Sequence, residues 1–195
     1  MRLFYSPTSP YARKVRVVAR ELNVQLEETP INPFASDTDF GAVNPINRVP
    51  ALELDDGRVL FDSPVICEYL DVEGGSALLP REGASRWAVL RLQALGDGLM
   101  DAATPLRQET ARPLQRQSPD RIALHRRTIS QVLDHLDQDV SQVSGVSIGT
   151  ISIASALSYL DFRFPADGWD EGRQRLHHWY EDFRQRPSFQ QTALG

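Results

Sequence analysis

The period of the apolar positions changes along the chain, and each change marks an element. "RLFY" at 2–5 is a short β-favouring run and predicts a strand. From Pro10 to Leu22 the apolar residues Val15, Val18, Ala19 and Leu22 recur at i, i+3, i+4 and i+7, which predicts a helix with one buried face. "VQLEET" at 24–29 is a second strand candidate, and residues 32–48, rich in Asn and Pro, predict a loop. "VPALEL", "DDGR" and "VLF" read as strand, Asp-Gly turn and strand, a hairpin. "SPVICEYLDV" follows as a helix with Ile66, Tyr69 and Leu70 along one side. The order β-α-β, loop, β-β-α implies a mixed sheet with a crossover helix.

Residues 73–85, "EGGSALLPREGAS", break the periodicity with Gly, Pro and Ser and read as a linker. Everything after it has a helical pattern: Ser85 to about Arg112, with Gly96, Gly98 and Pro105 able to bend or interrupt it, then Pro119 to about Val143, Ile148 to about Arg163 and Gln174 to about Arg186. The expected fold class is α+β, with a mixed α/β domain over 1–73, a linker at 74–85 and an all-helical domain over 86–195.

Val140 to Leu160, "VSQVSGVSIGTISIASALSYL", has 21 residues without a charge, long enough to cross a bilayer. Ten of them are Ser, Thr, Gln or Gly, too polar for hydrocarbon, so a capped helix in a protein core is the expectation and no membrane partner is expected. A net charge of -5 argues against nucleic acid, which selects a basic face. Cys67 is the only cysteine, which excludes a disulfide framework, a CxxC redox pair and a cysteine zinc site. No apolar leader follows Met1 and Arg2, so no signal peptide is expected.

Three short stretches could carry chemistry. Ser9-Pro10 opens the first helix, and Ser-Pro recurs at Ser63-Pro64 and Ser118-Pro119 ahead of other helical patterns, the expected N-cap followed by Pro. Capping explains Ser9 by itself. A helix N-terminus also favours an anion, and a serine hydroxyl there can donate to a thiolate and lower its pKa. In "NRVPAL" at 47–52, Pro50 cannot donate to a ladder, so Val49 is expected on an open sheet edge, where its N–H and C=O could receive an extended peptide. On pattern alone an ordinary loop-to-strand turn is the favoured reading of the same residues. In "FDSPVI" at 61–66, Asp62 could pair with an ammonium while Ser63 and the helix N-terminus take a carboxylate; acid before cap is also a common helix start.

Together and in this order, ahead of a helical second half, "SPYARKVRVVARE", "NPINRVPAL", "LFDSPVICEYL", "LLPREGASR" and "RPSFQQT" closely resemble the cytosolic glutathione transferase superfamily, over the whole chain. The likeness is greatest to small bacterial members with a Thr-Ser-Pro-aromatic first-helix motif. The resemblance implies a thioredoxin-like N-terminal domain that binds glutathione as co-substrate, a helical domain shaping a pocket for a small electrophile or peroxide, a homodimer with the linker and the next helix at its interface, a cytoplasmic detoxification role and no metal. By motif match, Ser9 would contact the sulfur, Val49 beside a cis Pro50 would pair with the cysteinyl backbone, and Asp62 and Ser63 would hold the γ-glutamyl head. Arg48 is the candidate for the glycyl carboxylate, and Tyr11 a pocket wall. A non-catalytic binding module, an isomerase and a dehalogenase are the alternatives the same resemblance leaves open.

The remaining conspicuous residues are read more plainly. At "SIGTISIA" the family usually has an acid three residues after the cap; Thr150 stands there, and a helix capped about 1 kcal/mol less well is expected. Cys67 reads as a buried structural thiol, and His177 and His178 do not share a helical face as metal ligands would. Met100, Arg107, Glu109 and Arg112 fall on the helix expected to face the co-substrate, although "LRQETARP" is unusually polar for such a wall.

Overall fold

The computed structural model describes residues 1–35 and 38–195. Four strands, β1 (Arg2–Tyr5), β2 (Glu27–Pro30), β3 (Ala51–Glu53) and β4 (Val59–Leu60), form one mixed sheet in the order β2-β1-β3-β4. β1 and β2 are parallel, joined across helix α1 (Pro10–Glu21), while β3 runs antiparallel to both β1 and β4. A short helix α2 (Phe40–Val43) precedes β3, and α3 (Ser63–Glu73) follows β4. The helical region consists of α4 (Gly83–Thr110), α5 (Pro119–Gln138), α6 (Ile148–Arg163), α7 (Gln174–Phe183) and α8 (Pro187–Gln190). This is the α+β arrangement expected, a thioredoxin-like sheet domain followed by helices.

The second strand begins three residues later than its pattern suggests, because α1 takes Val24 for its own termination. Asn23 is left-handed at φ 55°, Val24 N–H donates to Ala19 O at 2.8 Å and Asn23 N–H to Arg20 O at 3.2 Å, a Schellman closure with Asn in place of Gly. The expected loop 32–48 includes Ser36 and Asp37, which lie outside the described residues. Within the rest of it, α2 forms because Phe40 is buried edge-on to Phe4, 5.6 Å between centroids. α5 stops at Gln138, with a separate 3-10 turn at Val140–Val143, and α7 stops at Phe183, the chain turning again into α8.

Helix α1 is buried on more than its aliphatic face, which the sequence pattern did not indicate. Arg13 and Lys14 are as enclosed as Val15 and Val18, because α6 and α8 cover the side of α1 that faces away from the sheet. Arg13 donates to Ser158 Oγ and to Phe189 O and lies 3.8 Å from the Phe189 ring centroid; burial pushes its pKa down to about 10. Lys14 Nζ, fully buried, donates to Asp97 Oδ1 at 2.7 Å, and Ser152 Oγ donates to the same oxygen at 2.7 Å. At the far end of α1, Arg186 and Ser188 hydrogen-bond Glu21, and Arg186 holds that carboxyl below its ordinary range.

Gly96 does not interrupt α4, which runs unbroken through Gly98 and Pro105. It is the point where α4 and α6 touch: a Cβ built there would lie 2.6 Å from Ile153 N and from Ser152 C. Gly149 faces back across the same crossing, its Cβ position 2.6 Å from Val89 O. Backbone cannot yield as a side chain does, so Gly96→Ala is expected to cost about 2 kcal/mol in urea unfolding. Gly98→Ala, whose Cβ meets nothing within 4 Å, should be neutral or stabilising; equal effects would show that α4 and α6 are not in backbone contact.

The uncharged segment 140–160 lies largely in α6, whose residues Ile148–Leu160 are all buried in the protein core. No helix among the described residues is long and apolar enough to cross a membrane. The expected weakness at its start is absent. Ser147 Oγ accepts from Thr150 N–H at 3.1 Å and Thr150 Oγ1 accepts from Ser147 N–H at 2.9 Å, so the hydroxyl completes the reciprocal capping box that an acid usually completes.

Candidate functional site

Ser9 is the N-cap of α1, as its sequence predicts. Its backbone is extended, and its Oγ accepts from Ala12 N–H at 3.2 Å. A hydroxyl that accepts through a lone pair still holds its proton, and that proton has no acceptor among the described residues. Pro10 has no N–H to satisfy, which leaves the Tyr11 amide as the orphan donor of this helix end.

Beside this helix start is a cavity of about 110 Å³, lined by Tyr11, Arg48, Val49, Asp62 and Ser63 together with Asn44, Ile46, Pro50 and Asp101. Five of the six residues singled out from sequence meet there; Ser9 caps the adjoining helix and is not in the lining. Larger hollows exist, including one of about 500 Å³ against Arg13 and Arg184, but the candidate residues do not line it.

Val49 reaches the cavity by a different route from the one its sequence suggested. β3 is an interior strand, paired with β1 and β4, so there is no open edge along it. Val49 precedes the strand, in a loop beyond the end of the ladder, and its N–H and C=O have no hydrogen bond among the described residues. The Val49–Pro50 bond is cis, as is Phe61–Asp62. The fully buried Asn44 shapes this loop: its Nδ2 donates to Arg48 O at 2.7 Å and its Oδ1 accepts from Ile46 N–H at 3.1 Å. "NP" at 44–45 is the sequence signal for such an Asx turn. Arg48 itself projects into solvent.

Ser63 is not the cap of α3 but its first residue, and Asp62 occupies the cap position without a side-chain cap bond. The Asp62 carboxylate is exposed and free, and the buried Ser63 sits against the first turn of the helix. A carboxylate beside unpaired N–H groups can receive an ammonium and a carboxylate side by side.

Tyr11 donates to Asp101 Oδ1 at 2.5 Å, an α4 residue that nothing in the sequence linked to this site. Burial and that carboxylate hold the Tyr11 hydroxyl protonated, well above its usual range. Its ring is therefore fixed as a wall. Tyr5 lies under Arg16, whose guanidinium carbon is 4.6 Å from the ring centroid. Cys67 is fully buried in the core, where desolvation pushes its thiol up to about 12. Among the described residues no group of three or more His, Cys, Asp and Glu could hold a metal.

The helix expected to face the co-substrate presents fewer polar residues than its sequence suggested. Met100 is buried in the core, and Glu109 accepts from Ser118 N–H at 2.6 Å and from Arg112, tying the end of α4 to the start of α5. That leaves Arg107.

Comparison with known proteins agrees with this geometry. Residues 3–75 match the family profile described as glutathione S-transferase, N-terminal domain. The uncharacterized GST-like protein YibF of Escherichia coli K12 is 35% identical over 197 residues, covering 98% of each chain. The crystal structure of a glutathione transferase family member from Pseudomonas fluorescens Pf-5, with bound glutathione, superimposes with a TM-score of 0.93 at 39% identity, covering 100% of this chain and 98% of that one. A glutathione S-transferase from Methylobacillus flagellatus KT, with glutathione bound, gives 0.94 at 34% identity over 100% and 99% of the two chains. A sheet domain bearing these three segments, continued by one helical body over the full length of such relatives, places the chain in the glutathione S-transferase superfamily.

Proposed function

We propose that the protein is a glutathione transferase, which binds glutathione, stabilises its thiolate and delivers it to a small electrophile or peroxide. The observation that carries this reading is convergence: residues 11, 48–49 and 62–63, far apart in the chain, line one cavity beside the capped end of α1. Asp62 takes the γ-glutamyl ammonium, and Ser63 with the start of α3 takes its carboxylate. The Val49 N–H and C=O, unused by the sheet, pair with the cysteinyl residue. Arg48, exposed at the mouth, meets the glycyl carboxylate. Ser9 donates its free proton to the sulfur, with the dipole of α1 behind it.

The same reading divides the chain into a glutathione domain at 1–73, a linker at 74–85 and a helical domain at 86–195, within the small bacterial group marked by Thr8-Ser9-Pro10-Tyr11. It makes the protein a cytoplasmic homodimer acting in detoxification. The exposed Val65 and Val72 of α3 and Trp87 of α4 supply apolar surface for that pairing next to the linker.

Calorimetric titration with glutathione tests the binding half. Wild type should bind, and Asp62→Ala should weaken the affinity about tenfold or more, since it removes a charge-assisted bond. Equal affinity in the two proteins would sink the head-group assignment.

A further inference from the structure

Two arginines close to this site have no counter-ion. Arg107 is in the last turn of α4 and Arg163 ends α6; both are half-buried, and neither has a carboxylate within salt-bridge distance among the described residues. Their neighbours in the helical region are paired: Arg112 with Glu109, Arg126 with Asp167, Arg173 with Asp134 and Arg184 with Glu181. Arg91, Arg116, Arg121, Arg127 and Arg175, also without a counter-ion, are exposed, where water serves as partner. A favourable helix dipole accounts for an arginine at each helix end. It does not account for Arg163 Nε, which is buried with no hydrogen-bond partner.

Leu106 and Phe164, the chain neighbours of Arg107 and Arg163, line one cavity, so the two arginines lie at the same end of the α4–α6 pair. Arg163 lies 4.3 Å from the Phe162 ring centroid and 5.9 Å from that of Tyr159, whose hydroxyl burial holds above its usual range against the opposing positive charges of Arg163 and Arg107. That end adjoins the start of α1. Tyr11 hydrogen-bonds Asp101 and lies beside Thr104, and Arg107 is three residues further along α4, about 4.5 Å of helix rise. On the other side, Arg13 of α1 reaches Ser158, the residue before Tyr159. Arg107, Tyr159 and Arg163 thus belong to the two long helices, α4 and α6, that pack against α1.

We propose that the electrophile this enzyme takes is an anion, a small carboxylate-bearing molecule held by Arg107 and Arg163 beside the Tyr159 hydroxyl; this rests on the transferase reading. Half-buried guanidinium groups without a counter-ion are desolvated at a cost that a bound carboxylate offsets through bidentate hydrogen bonds. With an aryl halide the thiolate sulfur bonds to the ring carbon bearing the halogen, the carbon–halogen bond breaks, and halide leaves with the bonding pair. The thiol proton passes to solvent.

Matched substrates test this: 4-chloro-3-nitrobenzoate against 4-chloro-3-nitrobenzamide, each kcat/KM divided by the uncatalysed rate with glutathione. Wild type should favour the benzoate about tenfold or more, as expected for one charge-assisted bond. In Arg107→Gln/Arg163→Gln the preference should fall to within about twofold of one, and Arg107→Lys should retain part of it by keeping the charge. Calorimetry with the two S-aryl glutathione products reads the same preference without turnover, and thermal melts show that each variant is folded. A wild type that binds glutathione but binds both products equally overturns the anion proposal alone. A preference that survives loss of both arginines does the same. A wild type that binds no glutathione overturns the transferase reading and this proposal with it.

Discussion

Ser9→Ala is expected to turn over an aryl halide about 100-fold more slowly than wild type, the loss found when one preorganised donor to a developing or bound anion is removed. On the transferase reading this residue has two duties through one oxygen. A lone pair of Oγ accepts from Ala12 N–H, and the hydroxyl proton remains to be donated. Alanine removes both, so about 1 kcal/mol of stability should go with the rate. Ser9→Asp separates them. Aspartate caps as well as serine but cannot donate and repels a thiolate, so stability should be kept and turnover lost. Removing a donor from the thiolate raises the thiol pKa, so the rate in Ser9→Ala should rise with pH over a higher range than in wild type, each pKa unit corresponding to about 1.4 kcal/mol. An Ala variant as fast as wild type at every pH would leave Ser9 a cap alone, and would favour the reading in which this fold binds glutathione without turning it over.

Lys14→Met should destabilise the protein by about 3–5 kcal/mol in urea unfolding. The sole lysine of the chain is fully buried and pairs with Asp97, which also accepts from Ser152. These three residues come from α1, α4 and α6 and join the sheet domain to the helices. Removing the ammonium leaves Asp97 as a mostly buried carboxylate with a single hydroxyl donor. Lys14→Met/Asp97→Leu removes both charges and should recover most of the loss, because a buried pair replaced by apolar residues is often neutral. Additive losses in the double variant, or a single-variant cost below about 1 kcal/mol, would show that the pair contributes no more than an exposed one.

Element types were readable from local pattern because the forces that set them are local. Aliphatic spacing marks α1, Ser-Pro marks its start, and Asp-Gly marks the β3–β4 hairpin. The same reasoning failed where a residue's partner is distant. Val49 was taken for a strand edge because Pro50 follows it, yet what frees its backbone is its position beyond the ladder, in a turn held by Asn44. Ser63 was taken for a cap by analogy with Ser9, and the helix starts one residue early. Gly96 was taken for a possible break, when its missing side chain is what lets α6 approach.

Asp101 and the arginine pair mark the limit most clearly. Nothing local ties Asp101 to Tyr11, 90 residues earlier, or distinguishes Arg107 from Arg112 within "LRQETARP". Hydrophobic period, capping and turn chemistry act over a few residues, so the order of elements and the three candidate-site segments are written in the chain itself. Which charges are paired is decided by helix packing: Glu109 is taken by the start of α5, Lys14 is enclosed by α4 and α6, and Arg107 and Arg163 are left half-buried without a counter-ion among the described residues. Coulombic and desolvation energies depend on distance and burial in three dimensions, and neither exists until the helices are in place.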